Sequence, residues 1–233
     1  MRPHSAFTLA FAAIAIQGIA AINFVWDCAN SVDTCNNACY AMNHNLAPSV
    51  LTKDTRETQV KQRRKDSGCR RGPCGKNAKT SFKRFGGSCD EYPFATTKEG
   101  GKGAILRCVD GLENSSEGGQ LSAFYKKIPD GQKFGITMTN YQKAAFCVNS
   151  KKANDGGEFR LKNNAFVSAK RSDDELFEAA PVARNVVNRL REYEDELGRR
   201  VLHLSNDPAV TLVGQTISNG TATLLVVREI FEE

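Results

Sequence analysis

The spacing of apolar positions divides this chain into stretches of different kinds. Residues 104–109, "AILRCV", are apolar apart from one cation and predict a strand. Leu121, Phe124, Tyr125 and Ile128 recur at i, i+3, i+4 and i+7, which predicts a short helix with one apolar face. Pro129-Asp130-Gly131 stops that helix and makes a turn. Phe134, Ile136 and Met138 then alternate, as the inward positions of a half-buried strand do. The centre of the chain therefore reads strand, loop, helix, turn, strand.

The flanks carry weaker signals. Residues 22–65 are polar and weakly periodic and read as a cysteine-rich N-terminal segment with few core positions. Residues 66–149 form the central domain, and the polar residues 150–171 read as a linker. In residues 172–233, Ser172 and Glu175 make a capping-box pattern, and Pro181 interrupts or restarts the helix. Val182, Val186, Leu190, Tyr193 and Leu197 then form a helical stripe that Gly198 ends. "AVTLVGQTI" and "TATLLVVREI" on either side of Ser218-Asn219-Gly220 predict a hairpin. The expected class is α+β, with a helix–hairpin unit as the C-terminal extension.

The first 21 residues read as a signal peptide. Ala6 to Ile16 is an apolar run too short to span a bilayer, and the small residues Gly18, Ala20 and Ala21 suit a cleavage site. The expected protein is secreted and extracellular, with no membrane segment in its mature form. Cysteine usage agrees: Cys28, Cys35, Cys39, Cys69, Cys74, Cys89, Cys108 and Cys147 all follow the leader, and an even count in an exported chain predicts four disulfides. Spacing does not give the pairing. Zinc ligation through Cys35-x3-Cys39 and Cys69-x4-Cys74 is the rival reading, and it suits an exported chain less well.

Charge changes the picture next. Residues 22–170 hold 24 Lys and Arg against 14 Asp and Glu, whereas residues 171–233 hold 7 against 12. A basic domain predicts a polyanionic partner. Residues 61–84, "KQRRKDSGCRRGPCGKNAKTSFKR", read either as a solvated loop or as a phosphate-contacting edge that includes Arg84. Lys170-Arg171 is a dibasic pair at the charge boundary. The acidic tail beyond it, with Glu192, Glu194, Asp195 and Glu196, reads either as a docked subdomain or as a competitor for the basic groove.

Against this basic background, "CDEYPFATTKEGG" at residues 89–101 collects three carboxylates. Pro93 holds Tyr92 extended, so Asp90 and Glu91 are expected on opposite faces of a strand. Glu99 precedes Gly100-Gly101, where the chain can fold back toward the same cleft. Carboxylates in a basic groove make chemical sense around Mg²⁺, which takes one or two of them together with waters and a phosphate oxygen. Lys98, Lys102 and Arg107 are near enough in sequence to neutralise a phosphate backbone.

This run resembles the signature of the NucA/NucB-type secreted deoxyribonucleases: Asp-Glu-aromatic-Pro, a short spacer, then Glu-Gly-Gly. The similarity continues through "ENSSEGGQLSAFYKKIPDG" at residues 113–131 and spans about residues 66–149. The resemblance implies a disulfide-stapled ββα-metal core like that of the His-Me finger nucleases, with an Asp where those use His. It implies a sequence-nonspecific endonuclease that hydrolyses DNA with Mg²⁺ or Mn²⁺. By it Asp90 is the general base, Glu99 and Glu91 serve the metal, and Asn114 is the Asn of the loop before the helix. The helix position that carries an Asn in some members is Ala123 here, so Glu117 or Gln120 would have to substitute. His4 leaves with the leader, and His44 and His203 lie outside the motif and are expected at the surface. The rival functions are a non-catalytic binding protein on the same fold and a ribonuclease. Protein partners are not indicated.

Overall fold

The computed structural model describes residues 22–169, 190–205, 210–218 and 222–231. The expected leader, the expected capping box at Ser172 and Glu175, the stripe positions Val182 and Val186 and the expected turn at Asn219-Gly220 lie outside the described residues.

In chain order the elements are β1 (Asn23–Asp27), α1 (Val32–Asn43), β2 (Leu51–Thr52), α2 (Glu57–Ser67), β3 (Ser88–Tyr92), β4 (Ile105–Val109), α3 (Gly111–Tyr125), β5 (Lys133–Thr139) and α4 (Ala145–Val148). Then come β6 (Glu158–Lys162), β7 (Ala165–Ser168), β8 (Arg191–Asp195), β9 (Arg200–Leu204), β10 (Thr216–Ser218) and β11 (Thr223–Ile230). One sheet runs β1-β5-β9-β8-β11-β10, with β2 also paired to β5; the other runs β3-β4-β6-β7. β1 and β5 are parallel, and the other pairs are antiparallel.

α1 and α3 connect the two sheets. α1 packs on β3, β4 and α3, and α3 packs on β1 and β3. The main core joins Phe24, Trp26, Ile136 and Met138 from the larger sheet to Tyr92 and Ile105 from the smaller one. Leu121 and Tyr125, two of the predicted stripe positions, enter this core from α3. The mixed helix-and-sheet class, the strand at 104–109, the α3 stripe, the alternating β5 and the β10–β11 pairing all follow the periodicity of the sequence.

Four expectations about the flanks do not hold. The segment 22–65 is not peripheral: β1 lies in the larger sheet, and α1 is buried over most of its length. Its polar residues are buried because tertiary partners satisfy them, as with Asn43, whose Nδ2 donates to Phe146 O at 2.7 Å. The 150–171 linker contains β6 and β7, which extend the smaller sheet. Where the helical stripe meets described residues it is a strand: Tyr193 is buried in β8, while Leu197 is exposed in the following turn. The tail is therefore not a separate helix–hairpin unit. β9 pairs with β5, and Leu202 and Leu204 enter the main core.

Eight cysteines form four disulfides, Cys28–Cys35, Cys39–Cys147, Cys69–Cys89 and Cys74–Cys108, so the zinc reading does not apply. Cys39–Cys147 closes the longest loop, spanning 108 residues. A chain-entropy account assigns such a loop about 4–5 kcal/mol.

Candidate active site

β3 and β4 pair in register, Asp90 opposite Arg107 and Glu91 opposite Leu106, and α3 follows directly. Asp110 starts that helix, its carboxylate accepting from Leu112 N at 2.7 Å. This strand–strand–helix arrangement brings Asp90 on β3 against Glu117 on α3. Both side chains are buried, Asp90 at 4 % and Glu117 at 5 % exposure, and they share a hydrogen bond. Burial raises the Asp90 carboxyl above the usual carboxylate range, despite the hydrogen bonds from Glu117 and Asn37. Burial, followed by the charge of Asp90, raises Glu117 still more, so Glu117 keeps the proton and donates it to Asp90.

The pair lines a cleft of about 920 Å³. Glu91, Asn114 and Gly118 line it too, together with the cations Lys53, Arg64, Arg70 and Lys126. Strand alternation separates Asp90 from Glu91 as the sequence requires. Asp90 meets Asn37 and Glu117, whereas Glu91 turns to α2, where Ser67 Oγ donates to it and Arg64 Nε lies 3.9 Å away. Asn114 sits in the first turns of α3 rather than in a loop before it. Its Nδ2 donates to Ser88 Oγ at 2.7 Å and to Cys89 O at 3.2 Å, fixing the helix to β3 beside Asp90. That nitrogen is the atom a glycan would occupy in the Asn114-Ser115-Ser116 sequon, and it is committed to these two bonds.

Several residues singled out in the sequence are elsewhere. Glu99 does not line the cleft. Its carboxylate accepts from Thr52 N at 2.8 Å and Thr52 Oγ1 at 2.7 Å and pins the loop to β2. The two glycines that follow serve the same fold-back. A Cβ on Gly100 would lie 2.2 Å from Phe94 O, and Gly101 has φ +100° and packs on Arg63. Arg107 is 4 % exposed and ion-paired to Asp33, Asp155 and Glu158, so it has no free face for a phosphate. Arg84, exposed over the Phe85 ring, and the exposed Lys98 and Lys102 do not line the cleft. Sequence proximity misplaced these cations: the turn between β3 and β4 carries Lys98 and Lys102 away from Asp90, while α2 brings Arg64 back to it.

The helix carboxylate is Glu117. It was named as a substitute for the missing Asn because it lies on the helix near the motif; its burial against Asp90 could not be read from the chain. Ala123 is exposed and does not line the cleft, so a small residue there removes nothing from the site. Gln120, the other substitute, faces β1: its Oε1 accepts from Asp27 N at 2.8 Å. His44 and His203 are buried, not at the surface as expected. His44 Nε2 lies 3.0 Å from Lys152 O. His203 is lowered to about 4, chiefly by burial, and bonds Thr137 and Ile136 O. Neither lines the cleft.

Among the described residues there is no group of three or more His, Cys, Asp or Glu placed to hold a metal ion. A hard cation that keeps its waters and takes a phosphate oxygen needs only one or two protein carboxylates. The Asp90–Glu117 contact fits that need: two buried carboxyl groups in contact share a proton, and Glu117 would lose its proton only where a cation offsets its charge.

No curated protein matches the chain. Residues 38–137 match the family Deoxyribonuclease NucA/NucB, a stretch that begins within α1 and ends within β5, and so contains Asp90, Glu91, Asn114 and Glu117. The strands and helix around the cleft, β3, β4 and α3, all lie within the matched stretch, so the cleft is built from the part of the chain that is similar to the NucA/NucB deoxyribonucleases.

Proposed function

We propose that this protein is an exported, divalent-metal-dependent endonuclease that hydrolyses phosphodiester bonds of DNA with little sequence preference. The observation that carries the reading is the buried Asp90–Glu117 pair in a cleft also lined by the exposed cations Arg64, Arg70 and Lys126. Exposed cations attract a phosphate backbone irrespective of base sequence. Gly118 lines the same cleft with no side chain to obstruct approach.

In this reading Asp90 is the general base. It takes a proton from the attacking water, and burial raises its affinity for that proton. Glu117, once deprotonated, would hold Mg²⁺ or Mn²⁺, and the ion would supply stabilisation of the charge that builds on the phosphoryl oxygens. Asn114 holds α3 against β3 and so fixes the distance between base and metal-binding carboxylate. The β3–β4–α3 order supports a ββα-metal core. Four disulfides and the leader at residues 1–21 support an extracellular location. The test is conversion of supercoiled plasmid to nicked and linear forms with Mg²⁺ or Mn²⁺ and with EDTA. Cleavage that EDTA abolishes supports the proposal; full activity in EDTA removes the metal, and no cleavage under any condition removes the enzyme.

A further inference from the structure

Besides Glu117, the one side-chain donor to the Asp90 carboxylate among the described residues comes from α1. Asn37 is fully buried, and its Nδ2 donates to Asp90 Oδ2 at 2.8 Å and to Ile105 O at 3.1 Å. Both contacts are acceptors, so only one orientation of the amide is allowed. A flipped amide would set its oxygen against a carboxylate and a carbonyl. Asn37 Oδ1 has no partner among the described residues, a desolvation cost that the two donated bonds must offset.

The fold holds both ends of this contact covalently. Asn37 stands midway between Cys35 and Cys39, which are bridged to Cys28 and Cys147. Asp90 follows Cys89, which is bridged to Cys69. Asn36 beside it accepts from Phe146 N at 3.0 Å and makes no contact with Asp90. Residue 37 lies just outside the stretch matched by the family.

We propose that Asn37 is a positioning residue for the reaction, fixing the Asp90 carboxylate in its attacking orientation, and that the disulfides flanking it hold α1 in register with β3. A general base must stay within hydrogen-bond reach of the water it activates, and a small misplacement costs heavily in rate. The inference rests on Asp90 acting as base in DNA hydrolysis.

The experiment is steady-state cleavage of a fluorescently labelled DNA duplex by full-length wild type, Asn37→Ala, Asn37→Leu and Asn36→Ala, with thermal melting of each. Asn37→Ala is expected to lower kcat by about 10-fold to 100-fold with KM within about threefold. Asn36→Ala, equally placed on α1, is expected to lower the melting temperature but keep kcat within about twofold. Should Asn37→Ala not fold, the near-isosteric Asn37→Leu, which has no donor for Asp90, reads the same loss of kcat. Wild-type kcat in a folded Asn37 variant overturns the inference, as does an equal loss in Asn36→Ala. Inactive wild-type protein fails the nuclease reading itself, a result distinct from either.

Discussion

Asp90 on β3 and Glu117 on α3 touch through their carboxyl groups in a cleft that Lys53, Arg64, Arg70 and Lys126 also line. In the proposed function, acids gather in a basic domain because this contact sits where a phosphate would be drawn in. Only one of the three carboxylates in the 89–101 run, Asp90, takes part in it. Glu91 braces α2, and Glu99 pins β2.

Glu117 and Glu99 therefore respond differently to substitution. Glu117→Gln should raise the Mg²⁺ or Mn²⁺ concentration needed for half-maximal cleavage by at least about tenfold, since a hard cation loses a carboxylate. Glu99→Ala should leave that titration unchanged and lower stability by about 1–3 kcal/mol, because Thr52 loses both bonds to the carboxylate. A metal requirement shifted by Glu99→Ala and not by Glu117→Gln would reverse these assignments.

The central elements were legible because their side chains follow a single period. Tyr125 and Leu121 repeat with the helix, and Ile136 and Met138 repeat with the strand. α1 was not legible, because its buried positions include Thr34, Asn36, Asn37 and Asn43, and a polar residue signals burial only once its partner is known. β8 was read as a helix because Leu190, Tyr193 and Leu197 fit a helical spacing. The pairing of Tyr193 with Val201 and Glu229 decides for the strand. At the site, Asp90, Glu91 and Asn114 were legible from the motif. Of the cations, Arg64 and Arg70 belong to the 61–84 stretch read as a solvated loop or a phosphate-contacting edge, whereas Lys53 and Lys126 were not legible, because only the fold brings them to the cleft.

Substrate affinity should follow the cations that line the cleft. Arg64→Ala with Arg70→Ala should raise KM and flatten the dependence of log affinity on log salt by about two phosphate contacts, with kcat little changed. Arg84→Ala, Lys98→Ala and Lys102→Ala should each have a smaller effect on that slope. Binding isotherms on one duplex between low and physiological salt make the comparison. An unchanged slope in the Arg64–Arg70 double variant would remove those residues from the interface.

Removing the tail should destabilise the protein rather than release a blocked groove. Glu192 accepts from Tyr141 Oη and pairs with Arg200, while Glu194 pairs with Arg228, so these acids are engaged away from the cleft. A chain ending at Lys170 loses β9 from β5 and exposes the face that Val201, Leu202 and Leu204 cover, on the order of 5 kcal/mol. Thermal melting should show a fall in the transition or no cooperative transition. A folded, stable truncation that is more active at low salt would instead make the tail an inhibitor.

The pH dependence of cleavage should carry the mark of burial. Asp90 must be ionised to act as base, and burial holds its carboxyl above the ordinary Asp range, so the acid limb of log kcat should lie above the value of about 3.9 expected for an exposed Asp. Activity is then lost as pH falls through that raised value and is retained above it. An acid limb at or below the exposed-Asp value would mean that the titrating base is not this buried group.

The most direct measurement is single-turnover cleavage of a labelled DNA duplex by wild type and Asp90→Asn at saturating Mg²⁺, with binding of the same duplex measured alongside. The substitution keeps the shape of the side chain and removes its basicity. The account predicts a rate lower by about 10²-fold or more with binding affinity retained. Cleavage by Asp90→Asn at the wild-type rate would contradict it.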